Sequence, residues 1–146
     1  MRDANARSMW QAPDGATACY YCGAVAETID HVVPQIVLQA AALSQDESVR
    51  QYFHKRHRIM TVPACTECNS LVGPKYFDTL AERRDYARER LRRRYRRYIE
   101  TPSWEPSSLM DLDSPLRGYV LNALEIRRLV LLRLSWKWPA QERTAA

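Results

Sequence analysis

Cys19-Tyr20-Tyr21-Cys22-Gly23 and Ala64-Cys65-Thr66-Glu67-Cys68-Asn69 decide how this chain folds. Each stretch contains a Cys-x-x-Cys pair, and the pairs use all 4 cysteines of the 146 residues. Two residues between thiols let both face one ion from a tight turn. Two such turns supply four soft ligands, a tetrahedral set suited to Zn²⁺ with Zn–S near ~2.3 Å. No coordination position is left open, so the zinc is expected to be structural. Gly23 follows the first pair, where a backbone able to take positive φ is useful. Two disulfides, a redox pair or four free thiols are the other uses of such cysteines. Met1 to Ala12 has no apolar run, so a reducing, cytoplasmic setting in a bacterial or phage-infected cell is expected.

The 42 residues between the pairs imply an insertion between the knuckles. Thr28-Ile29-Asp30-His31-Val32-Val33 is rich in β-branched residues and stops at Pro34, which predicts a short strand. Ile36, Val37, Ala40 and Leu43 recur at helical spacing over Gln35–Leu43. Residues 44–58 are polar and basic, with Lys55, Arg56, Arg58, His54 and His57, and are expected to form a solvated loop. Ile59–Val62 is a second strand candidate, closed by Pro63. Cys65–Leu71 opens a short helix from the second knuckle, ended near Gly73-Pro74. Before the first cysteine, residues 1–18 are expected to be a loose lead-in with a turn at Ala12-Pro13-Asp14-Gly15.

The second half differs in character. Thr79-x-x-Glu82 matches a capping box and starts a helix expected over 79–100. Its apolar stripe is narrow: Leu80, Ala87, Leu91, Tyr95 and Tyr98/Ile99. Most of its remaining surface is arginine. From Arg83 to Arg97 nine Arg stand against two acids, a net +7, while the whole chain carries +5. Residues 101–114 are Pro- and Ser-rich and are expected to link to a C-terminal helix over 115–138. Leu116, Val120, Leu124, Leu131 and Leu134 form its candidate buried stripe, with Arg127, Arg128 and Arg133 pointing outward. Leu129 and Leu132 would then be left exposed for a homodimer or a larger phage or bacterial assembly. The expected layout is therefore α+β: a zinc-knuckle core over 1–75 and a helical extension over 76–146. Composition, at 46% hydrophobic and 27% charged, excludes wholesale disorder. With 4 Gly a Gly-rich phosphate loop is not expected, and no apolar run is long enough to span a bilayer.

The basic run points to a polyanion. Arg83, Arg84, Arg88, Arg90, Arg92, Arg93, Arg94, Arg96 and Arg97, with Lys55 and Arg56, are the candidate nucleic-acid contacts. Candidate chemistry lies nearer the cysteines. Joining the knuckles would bring Asp30 and His31 against Asn69, which directly follows Cys68. A carboxylate and an amide oxygen are hard donors for Mg²⁺ or Mn²⁺, and a neutral imidazole beside them can act as general base. Those parts suffice for phosphodiester hydrolysis.

Cys19-Tyr20-Tyr21-Cys22-Gly23, Asp30-His31-Val32-Val33-Pro34 and Pro63-Ala64-Cys65-Thr66-Glu67-Cys68-Asn69 together resemble the zinc-containing HNH endonucleases of the endonuclease VII type. The resemblance covers about residues 17–75. It implies a ββα-metal core acting on DNA, Asp30 and Asn69 as ligands of a catalytic Mg²⁺ or Mn²⁺, His31 as general base, and a dimer. Many members carry Asn five residues before the third cysteine, where it orients the histidine; this chain has Met60 there. The competing reading is a catalytically degenerate zinc module that binds nucleic acid or scaffolds an assembly.

Overall fold

The computed structural model describes residues 17–138. The expected turn at Ala12–Gly15 and the polar tail after Pro139 lie outside the described residues. The chain enters through an isolated bridge between Ala18 and Val25, which closes the first knuckle. Gly23 has φ +74° there, and its N–H donates to the Cys19 carbonyl over 2.9 Å. Strand β1 is Thr28–His31. Helix α1 (Gln35–Ala42) follows Pro34, and helix α2 (Glu47–Ile59) follows Asp46, whose carboxylate accepts from the Ser48 N–H. Strand β2 is Thr61–Ala64. It pairs antiparallel with β1 in the register Thr28–Ala64, Ile29–Pro63, Asp30–Val62 and His31–Thr61.

Two sequence expectations change in this region. The stretch 44–58 is mostly helix rather than loop. Its backbone is capped by Asp46, and its Arg, Lys and Gln residues are good helix formers. The second strand starts two residues later than Ile59 and runs through Pro63. In a two-stranded sheet every strand is an edge, so a missing N–H is tolerated.

Helix α3 (Thr66–Val72) grows directly from the second knuckle. Its cap is Cys65, whose sulfur accepts from the Cys68 N–H over 3.4 Å, and it stops at Gly73 with φ +59°. Strand, strand and helix thus follow in the order β1, β2, α3, with α1 and α2 inserted between the strands. Helix α4 (Leu80–Arg94) starts with the full Thr79/Glu82 capping box. The single helix expected over 79–100 is broken at Tyr95, which leaves a short α5 (Arg96–Ile99). The 101–114 segment contains one short helix, α6 (Pro106–Met110). The long α7 (Ser114–Ser135) is capped by Asp113, with Pro115 in its first turn.

One buried cluster joins the two halves. Cys19, Tyr21, Cys22, Cys65 and Cys68 pack with Val62, Ala64 and Val72, and with Ala87 and Leu91 of α4. The helical half therefore contributes to the core that the cysteines organise. In α7 the buried residues are Val120, Leu129, Val130 and Arg133, while Leu116 and Leu131 of the expected stripe are exposed. Apolar residues crowd several faces of this helix, so spacing alone does not select the buried one. The end of α7 turns its 129–130–133 side to the core, which buries Leu129 and draws Arg133 inward. Among the described residues no helix is long and apolar enough to cross a membrane.

Candidate metal centre and the adjoining depression

Four cysteine sulfurs meet under the start of α3. The Sγ atoms of Cys19, Cys22, Cys65 and Cys68 all lie within 4.8 Å of one another, and all four residues are buried. Cys22 and Cys65, from different knuckles, have sulfurs 3.8 Å apart. That separation suits a tetrahedral ion with four bonds of about 2.3 Å, so the donor set and its spacing fit zinc. None of the four is joined in a disulfide. Hydrogen bonds within the cluster hold the Cys22 and Cys65 thiols below the usual thiol range and push those of Cys19 and Cys68 above it.

The second knuckle is wired to the helical half through Glu67. Its carboxylate accepts from the Tyr95 hydroxyl over 2.8 Å and pairs with Arg94 at 3.0 Å and Arg133 at 2.7 Å. Arg133 also reaches the sulfurs of Cys65 and Cys68, each at 3.9 Å. The first knuckle is covered by Trp136, whose carbonyl accepts from Arg88, and Tyr20 packs on Trp138 with ring centroids 5.1 Å apart.

A depression of about 470 Å³ opens beside this centre. Ile29, Asp30 and His31 of β1, Asn69 of α3 and Arg83 of α4 all line it, so the three residues singled out for chemistry do share one site. His31 is exposed at its rim. Its ring lies on that of His57 from α2, with centroids 4.8 Å apart and planes 12° apart. His57 is itself tied down: its Nδ1 lies 2.9 Å from the Val33 carbonyl. Asn69 donates from Nδ2 to the Thr28 hydroxyl over 3.2 Å, and that hydroxyl donates to the Ala64 carbonyl. The amide is thereby fixed against β1.

Asp30 is held differently from the sequence expectation. It is 3% exposed, and Arg83, 1% exposed, grips it with two bonds: Nε to Oδ2 and Nη2 to Oδ1, both 2.8 Å. The Tyr21 hydroxyl donates to the same Oδ2, and the Arg83 Nη1 donates to the Lys75 carbonyl over 2.6 Å. Burial and the adjacent Asp30 charge push the Tyr21 hydroxyl up from its ordinary value. Arg83 also sits above its ordinary value: burial opposes its charge, and the Asp30 carboxylate more than offsets that. The carboxylate is thus charge-balanced and accepts three donors. A divalent ion does not fit Asp30 while Arg83 remains there. Arg83, expected to contact nucleic acid, is instead an interior residue.

The other arginines stay largely at the surface. Arg90, Arg92, Arg93, Arg94, Arg96 and Arg97 are exposed, and Arg84 and Arg88 are half-buried. Several are paired within the protein, Arg92 and Arg93 with Glu89 and Arg96 with Glu100. Lys55 is exposed, while Arg56 donates to the Tyr52 hydroxyl and the Asp78 carbonyl. Sequence reasoning missed Arg83, Arg133 and His57 as parts of the centre. For the arginines a signal existed, since Arg83 lies one turn before Ala87, and Arg133 one turn after Leu129, on faces that are otherwise buried. No family model, curated protein or solved structure matches the chain.

Proposed function

We propose that the chain is an endonuclease that hydrolyses phosphodiester bonds in DNA, with His31 as general base and zinc in the four-cysteine site as a structural clamp. The observation that carries this reading is the meeting of His31, Asp30 and Asn69 around one depression at the end of a strand–strand–helix unit. The same order of elements, with Asp-His on the first strand and Asn on the helix, is what the resemblance to the HNH endonucleases implies. His31 is exposed at the rim, where its imidazole accepts a proton from an attacking water. His57 braces the ring from below and supplies an orientation that Met60 cannot. Asn69 presents its amide beside the reacting phosphate. The exposed arginines of α4 and α5 track the backbone. Their ion pairs with Glu89 and Glu100 are solvent-screened surface pairs, readily exchanged for phosphate.

One observation favours a second reading. Asp30 already has its cation in Arg83, an arrangement that suits a module that binds nucleic acid without cutting it. Incubating zinc-loaded protein with supercoiled plasmid, with Mg²⁺ and with Mn²⁺, separates the two. The endonuclease reading expects nicking by the parent and a loss of ~10²–10⁴-fold in rate in His31→Ala with DNA affinity retained. His31 is the suitable variant because it is exposed, whereas Asp30→Ala would strand a buried arginine. DNA binding with no nicking by the parent under either ion supports the second reading.

A further inference from the structure

Among the described residues, Arg133 is the arginine that hydrogen-bonds the cysteine sulfurs, and it comes from the far end of α7, 65 residues beyond Cys68. We propose that Arg133 is the counter-charge of the metal site: its guanidinium offsets the excess negative charge of the zinc-bound thiolates and fastens the end of α7 to the centre. The inference rests on the cluster holding zinc and is independent of the endonuclease reading.

Four thiolates around one Zn²⁺ leave a net charge of −2, and the four cysteines are at most 6% exposed. Burying unbalanced charge is costly, so a cation beside the sulfurs stabilises the filled site. Arg133 is 3% exposed and directs Nη2 at both Cys65 and Cys68, each 3.9 Å away. Its aim is set by Glu67, which sits inside the second Cys-x-x-Cys and takes Nη1 over 2.7 Å. Glu67 is in turn anchored by Arg94 and Tyr95. One cation therefore spans the carboxylate and the sulfurs. Trp136 lies three residues further along and covers Gly23 of the first knuckle. The last turn of α7 thus touches both knuckles, so metal loading and docking of this turn stabilise each other.

The test compares zinc release to a chromogenic chelator from the parent, Arg133→Gln, Arg133→Met and Arg133→Lys, alongside the charge-transfer spectra of their Co²⁺ forms. The two neutral variants should bind zinc about 10- to 100-fold more weakly, the effect typical of losing a group that supports the ligands from behind. Their sulfur-to-cobalt band should move to longer wavelength, because a thiolate without a neighbouring cation gives up its electrons more easily. Arg133→Lys, which keeps the charge, should recover most of the affinity and the parent's band position. Unchanged release and an unchanged band in folded neutral variants would overturn the inference. Should both neutral variants collapse under saturating zinc while Arg133→Lys folds, the charge requirement is upheld. Collapse of Arg133→Lys as well would show a packing role and overturn it. A parent that takes up no zinc would instead refute the metal site itself.

Discussion

Replacing Arg83 with Met removes the cation from one of the most enclosed ion pairs in the molecule. Asp30 would then keep a single strong donor, the Tyr21 hydroxyl, at a position only 3% exposed. Breaking a buried pair by deleting one partner typically costs about 3–5 kcal/mol, because the remaining charge is neither solvated nor paired. Native stabilities are about 5–15 kcal/mol, so this is a large share of the total. Urea denaturation of zinc-saturated, reduced protein measures the loss. The double-mutant cycle with Asp30→Asn tests its origin. Since Asn leaves no stranded carboxylate, the double variant should be less destabilised than the two single losses added together, with a coupling of about 2–3 kcal/mol. Arg83→Met also frees the carboxylate, so Mn²⁺ should bind the variant more tightly than the parent. A stability within ~0.5 kcal/mol of the parent, the range of ordinary surface substitutions, would refute the clamp, as would strict additivity in the cycle.

Other consequences are simpler to test. Gly23→Ala should lower the melting temperature markedly: φ is +74°, and a Cβ would lie 2.5 Å from Trp136 Cδ2. Strain of this kind costs about 1–3 kcal/mol, and a parent-like melt would mean that Trp136 does not cover the knuckle. Replacing Arg92, Arg93, Arg96 and Arg97 together with Gln should weaken binding similarly for all duplex sequences. The slope of log affinity against log salt should flatten by about 0.9 per lost phosphate contact, and matching slopes would remove this face from the interface.

The parts of the fold legible in the sequence were those carried by local chemistry. Two Cys-x-x-Cys pairs, the β-branched run through Asp30 and the Thr79/Glu82 cap each act over a few residues, and each reappears in the structure. Helix α2 was harder to read because its apolar positions, Val49, Tyr52 and Phe53, are few among charged residues; its other signal was the Asp46 cap before a charged run, which also suits a loop. The inward arginines carried only a spacing signal, one turn from Ala87 and from Leu129, and their neighbours masked it. Arg83 opens a run of arginines that mostly face water, and only the buried carboxylate across the fold explains its turn inward. The same holds for Arg133, whose partners are Glu67 and the sulfurs 65 and 68 residues earlier. His57 meets His31 because α1 and α2 fold back between the strands, a tertiary arrangement that local pattern does not encode.

One ion joining residues 19–22 to residues 65–68 would hold β1 against α3 and so keep His31 near Asn69. Elemental analysis of protein purified under reducing conditions, paired with circular dichroism before and after chelation, tests this most directly. One zinc per chain and loss of the fold when it is withdrawn are the expected results. A folded, reduced protein without metal, unchanged by chelator, would contradict the central claim.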